Sequence, residues 1–128
     1  MDVELTFQVR GHYLLVKGRG PSDLESTRKA LILIEEKARQ TGLTHILIDA
    51  RDVEAPRREL DRFFIGELVA ELFGPRFRIA VVYPADRINK FGENTAVNRG
   101  ANLLVAAEED SAMKWLMQDL SQPIQPHA

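Results

Sequence analysis

The sequence contains no cysteine. Disulfides and thiolate metal sites are therefore excluded, and a reducing compartment fits. Histidine is scarce and scattered. His12, His45 and His127 form no pair at helical ligand spacing, so no zinc or transition-metal site is expected. Long apolar runs are also missing. Ala30 to Ile34 is as long as they get, far too short to span a bilayer, so the chain is not expected to be an integral membrane protein. The opening stretch MDVELTFQVR is charged and alternating, without the apolar centre of a signal peptide, and a cytoplasmic protein is expected. No charge sign dominates either. A net charge of −2 gives no whole-molecule bias toward nucleic acid or anionic membranes, and no strand carries a basic strip with aromatics. Nucleic acid is not expected as a partner.

Nucleophilic catalysis needs a nucleophile beside a base. Ser22 reads as a helix cap, Ser26 and Ser111 lie in early helix turns, and neither these nor Ser121 sits in a Gly-x-Ser-x-Gly setting. Gly18-Arg19-Gly20-Pro21 lacks the Gly-Lys-Ser/Thr ending of a phosphate loop and reads as a turn. No catalytic constellation emerges, so neither an enzyme nor a cofactor is expected.

What is present is an ordinary globular composition, 45% hydrophobic and 28% charged over 128 residues, enough for one closed core. Val3, Leu5, Phe7 and Val9 alternate with polar residues, the period-two mark of a half-buried strand. Arg10-Gly11 turns the chain, and Tyr13 to Lys17 resumes with apolar side chains. The pair reads as a β-hairpin whose first strand is an edge. Ser22-Asp23-Leu24-Glu25 reads as a capping box with Ser22 at the cap, opening a helix that Gly42 ends. Leu24, Leu31, Ile34 and Ala38 share one face of it. His45 to Ile48 is a short buried strand, followed by a charged loop, Asp49 to Arg58. The next helix, ended by Gly74-Pro75, carries two apolar lines: Leu60, Phe64, Leu68 and Leu72, and beside them Ile65, Val69 and Phe73. Phe77 to Tyr83 is a further strand, Asn89 to Arg99 a short helix, Asn102 to Ala106 a last strand and Glu108 to Leu120 a last helix. Residues 1–120 are expected to form the domain, and 121–128 a frayed tail. The order is ββαβαβαβα. This single-domain α/β fold is expected to have a mixed, mostly parallel sheet with helices mainly on one face.

This order, with these residues, resembles the SpoIIAA-like branch of the STAS superfamily, the fold of anti-sigma-factor antagonists. The resemblance rests on the hairpin VELTFQVRGHYLLVKGRG, the segment ILIDARDVE, the helix DRFFIGELVAELF, the strand RIAVVYPAD and the ending FGENTAVNRGANLLVAAEEDSAMKWL. In that ending Phe91, Ala96, Asn98, Arg99, Gly100, Ala112, Trp115 and Leu116 match the family pattern. The resemblance implies a regulatory protein-interaction module. Antagonists with a switch carry a phosphorylatable Ser or Thr after the central strand. Here no Ser or Thr occurs from His45 to Asn94, so no phosphorylation site is carried over.

Two sets of candidate site residues follow. Asp49, Arg51, Asp52, Glu54, Arg57, Arg58 and Arg62 cluster around the expected loop. Arg57 and Arg58 stand near a helix start, where the dipole disfavours cations. A protein partner or a homodimer is expected to meet this cluster. The STAS fold also resembles the CRAL-TRIO lipid-transfer fold. That likeness implies an alternative, a small carrier for a lipid or other apolar molecule held under the 58–73 helix, lined by Phe63, Phe64 and Leu68.

Overall fold

Glu4–Arg10 (β1) and Tyr13–Pro21 (β2) pair antiparallel from Arg10↔Tyr13 to Glu4↔Arg19. The computed structural model describes residues 3–54, 58–88 and 90–121. Of the expected tail, 121–128, Ser121 ends the last helix and the rest lies outside the described residues, as does the cluster member Arg57. Leu24–Thr41 (α1) follows the hairpin, then His45–Glu54 (β3), Glu59–Phe73 (α2), Arg78–Val82 (β4), a single 3-10 turn at Ala85–Arg87, Lys90–Asn98 (α3), Asn102–Ala106 (β5) and Glu109–Ser121 (α4). The sheet order is β1-β2-β3-β4-β5, with β1 on the edge and the other four strands parallel.

Each parallel step crosses over on the same side, so α1, α2 and α3 cover one face. Leu14, Val16, Ile46 and Ile79 meet Leu31, Ile34, Val69 and Phe73 there. On the opposite face Leu15, Leu47, Ala80 and Val82 meet Ala112 and Leu116 of α4. Strands buried on both faces need apolar residues throughout, which is why Leu14 to Val16 of β2 and Ile79 to Val82 of β4 do not alternate.

Two sequence expectations need correction. The α1 cap is Asp23, not Ser22: its Oδ1 accepts from the Ser26 backbone N–H at 2.8 Å. Ser22 is buried one residue earlier, its Oγ 2.6 Å from Thr27 Oγ1 and 3.2 Å from Ser26 Oγ. The C-terminal end behaves as expected, with Gly42 at φ 74° closing the helix.

The second correction concerns β3. The strand does not end at Ile48 but runs to Glu54, so most of the expected loop is strand. Lys17 pairs with Asp49 and Arg19 with Asp52, so Ala50 and Arg51 together stand opposite Gly18. This is a bulge, and it lets β3 keep pairing along the end of β2.

Candidate functional site

The carboxyl ends of β2 to β5, where open α/β sheets usually meet ligands, carry both a charged surface and the polar end of a cavity. On the surface, Arg51 donates to Asp49 through Nε at 2.9 Å and Nη2 at 2.8 Å. That hydrogen bonding holds the Asp49 carboxyl below its ordinary range, against the desolvation of partial burial, and pushes the Arg51 guanidinium up. Asp52 and Glu54 are exposed. Arg58 occupies the N-cap position of α2 with no side-chain capping bond, and the acids Glu59 and Asp61 suit the first turn behind it. Leu60 and Phe64, one helical turn apart, are 53% and 44% exposed beside these charges. Phe63 packs on Phe64 edge-on and stacks on Phe91, with the Arg99 guanidinium 5.5 Å from its ring centre.

Arg62 does not belong to this surface. Its Nη2 donates to the Arg87 carbonyl at 3.0 Å, and it lines a cavity of about 220 Å³ between the sheet and helices α1 to α3. The helix face that reaches the cavity is Arg62, Ile65, Gly66, Val69 and Phe73. Phe63, Phe64 and Leu68, the expected lining, are not part of it. They lie on the neighbouring helix line, where Leu68 packs against the core and Phe64 is turned toward solvent. The sheet contributes Ile48, Ala50 and Val53 from β3, Ile79 and Val81 from β4, and Leu103 and Val105 from β5. The bulge matters here, because it returns Val53 to the same face as Ile48 and Ala50.

The polar groups of the cavity gather at the carboxyl edge. Tyr83 follows β4 and is held by its backbone N–H to the Ala106 carbonyl at 3.0 Å. Ser22 and Thr27 sit at the start of α1, and Glu93 in the first turn of α3. The Glu93 carboxylate accepts from the Val105 backbone N–H and from Lys90 Nζ, while Lys90 also donates to the Val105 carbonyl at 2.6 Å. These contacts cover the free edge of β5. Among the described residues, Arg62 Nε and Tyr83 Oη are the buried side-chain polar atoms left without a partner. Buried polar groups are normally hydrogen-bonded, so two orphans on one cavity are unusual. Neither was singled out from the sequence as a ligand group.

The far end of the opposite face carries a second polar cluster. His45 Nε2 lies 2.9 Å from Asp119 Oδ1, and Arg78 donates to the Trp115 carbonyl through Nε and Nη2 while lying 3.8 Å from the centre of the Trp115 ring. Desolvation works to raise the Asp119 carboxyl, but the hydrogen bond and charge of His45, with Arg78 further off, hold it below its ordinary value. This cluster ties α4 to the start of β3 and β4. Among the described residues, no three His, Asp or Glu side chains gather as metal ligands, and no helix is long and apolar enough to cross a membrane.

No protein-family model matches the chain, and no curated protein matches it in sequence. Solved structures do. An anti-sigma factor antagonist from Mycobacterium paratuberculosis superposes with a TM-score of 0.62 at 15% identity, covering 90% of this chain and 94% of that one. An uncharacterised protein with a SpoIIAA-like fold from Shewanella loihica gives 0.54 at 16%, covering 90% and 93%. The anti-sigma factor antagonist SpoIIAA in its unphosphorylated form gives 0.51 at 14%, covering 88% and 96%. At these identities the likeness is one of fold, and the chain has the SpoIIAA-like, STAS-type fold.

Proposed function

We propose that this domain is a non-enzymatic regulatory module that binds a protein partner through the carboxyl end of its sheet and the start of α2, without a phosphorylation switch. The observation that carries this reading is the exposure of Leu60 and Phe64 on α2, next along the chain to the exposed Arg58 and Glu59. Apolar side chains rimmed by charges are the usual composition of an interaction surface. The region holds no Ser or Thr to phosphorylate, which suits constant contact. Two structural neighbours are anti-sigma factor antagonists by name, so an anti-sigma factor is the partner class to test first, and a second copy of the chain the next. Arg58→Glu and Leu60→Asp are expected to weaken such a complex at least about tenfold, the effect of losing an interface anchor, with thermal stability unchanged. Binding that survives both substitutions rejects this surface.

A second reading, a carrier for a small apolar molecule, is favoured by the cavity under α2. Ala30 lies on its wall. Ala30→Leu is expected to fill the space and reduce retention of an apolar ligand in native mass spectrometry while leaving the fold intact. Equal retention in both proteins rejects the cavity as the site.

A further inference from the structure

Resting on the second of these readings, the geometry points to one ligand class. We propose that the cavity binds a monocarboxylate with a short apolar body, its carboxylate accepting hydrogen bonds from Arg62 Nε and Tyr83 Oη. The two orphan atoms define the head group. Arg Nε–H is a donor only, and the Tyr hydroxyl is free to donate. A carboxylate offers two oxygens with lone pairs for both, and hydrogen bonds to a charged acceptor are the stronger kind.

Charge points the same way. Arg62 and Glu93 are the charged residues on the cavity wall. The Glu93 carboxylate is already answered by Lys90 and by the Val105 N–H. The Arg62 guanidinium has only the neutral Arg87 carbonyl among the described residues. The side chain is half-buried with its Nε enclosed, and an incoming anion supplies the counter-charge it lacks. A cationic head would meet the guanidinium instead.

The size of the cavity bounds the body. A dry cavity of about 150 Å³ accommodates benzene. On that scale the space of about 220 Å³ takes about nine non-hydrogen atoms, close to the size of octanoate. Topology sets the orientation. Arg62 and Tyr83 stand at the carboxyl edge of the sheet, whereas Phe73, Ile79 and Leu103 line the cavity toward the amino ends of β4 and β5. The head therefore sits at the edge and the chain points inward.

The test is calorimetric titration of the full chain with octanoate, octan-1-ol and octylammonium, on the native protein, Tyr83→Phe and Ala30→Leu. Tyr83→Phe removes an unpartnered hydroxyl, so the free variant is expected to fold with equal or greater thermal stability. Octanoate is expected to bind the native protein more tightly than octan-1-ol, with octylammonium weakest. Tyr83→Phe is expected to weaken octanoate at least about tenfold, the loss of one hydrogen bond to a charged group. Octylammonium binding as tightly as octanoate, or undiminished octanoate affinity in Tyr83→Phe, overturns the head-group assignment. Octan-1-ol binding that Ala30→Leu removes leaves the apolar-carrier reading standing in that event. Native protein that binds neither octanoate nor octan-1-ol overturns both.

Discussion

Alanine in place of Gly66 sets two effects of similar size against each other. Gly66 lies in the interior of α2 and is buried against α3. Glycine inside a helix is about 1 kcal/mol less favourable than alanine, so propensity alone predicts a stabilising substitution. The structure predicts the reverse. A Cβ at position 66 would stand 2.5 Å from the Gly92 carbonyl oxygen and 2.8 Å from Thr95 Cβ. Neither atom is the end of a flexible side chain. Thr95 is itself fixed, its hydroxyl donating to the Phe91 carbonyl at 2.8 Å. Restoring ordinary contact near 3.5 Å requires α3 to move away by roughly 1 Å. Overpacking of this kind costs about 1–3 kcal/mol, and a backbone obstacle places it in the upper part of that range. The net expectation is a loss of about 1–2 kcal/mol, or about 4–8 °C in Tm for a chain of this size. Gly92→Ala supplies the control. Its Cβ would meet the Arg62 carbonyl at 3.1 Å, a conflict that a few tenths of an ångström relieve, so it is expected to change stability by less than about 1 kcal/mol. Urea denaturation monitored by the fluorescence of Trp115 measures both. A Gly66→Ala protein more stable than the native one would refute the close packing of α2 on α3.

Three further outcomes follow from the same geometry. Leu116 is fully buried under α4, and Leu116→Ala is expected to lower unfolding stability by about 2–5 kcal/mol in urea titration, whereas a change below about 1 kcal/mol would mean that α4 is not seated on the sheet as described. Asp23→Ala removes the α1 cap and is expected to lower Tm by a few degrees, the effect of losing one capping bond; an unchanged Tm would show that Asp23 does not cap the helix. Asp49 and Asp119 both titrate below their ordinary value of 3.8 in the folded chain, so their stabilising contribution is complete above that value and is lost as pH falls from there through the folded values; a double Asp49→Asn, Asp119→Asn variant is expected to lose less stability than the native chain on acidification below about pH 5, and parallel pH profiles would show that neither pair contributes.

The elements that sequence patterning located were those whose burial is uniform along their length. β1 has one wet face, so it alternates, and its edge position was legible. α1 and β5 carry their boundaries in turn residues, and Gly42 and Gly100 both adopt positive φ. β3 was cut short because its burial changes midway. His45 and Leu47 lie under α4, whose Asp119 reaches back to His45, while Ile46 is buried on the other face. Beyond Asp49 that face is open, so Arg51, Asp52 and Glu54 are charged although the backbone still pairs with β2. A charged stretch at a strand end resembles a loop when pairing is invisible. The bulge opposite Gly18 leaves no mark in a single sequence beyond the glycine itself.

Arg62 shows why the cavity escaped the same patterning while one of its polar groups did not have to. Sequence proximity groups Arg62 with Arg57 and Arg58, and that grouping places it on a partner surface. Helical spacing groups it differently. Positions 62, 66, 69 and 73 fall on one face at intervals of four, three and four, so Arg62 shares a line with Gly66, Val69 and Phe73, the residues of α2 that are buried. A cation on the core line of an apolar helix needs a counter-charge, a snorkelling path to solvent or a ligand. The neighbours of Arg62 supply one carbonyl and leave Nε without an acceptor. The cavity volume itself is not legible, because lining residues and packed core residues are the same types. Its polar end was legible in principle, as one arginine out of place by periodicity and one tyrosine, Tyr83, on the inward side of β4 in step with Ile79 and Val81. Charge clusters in such helices are therefore better sorted by face than by distance along the chain. Sorted that way, Arg58 stays with the surface and Arg62 with the interior, and one run of arginines divides into two separately testable sites.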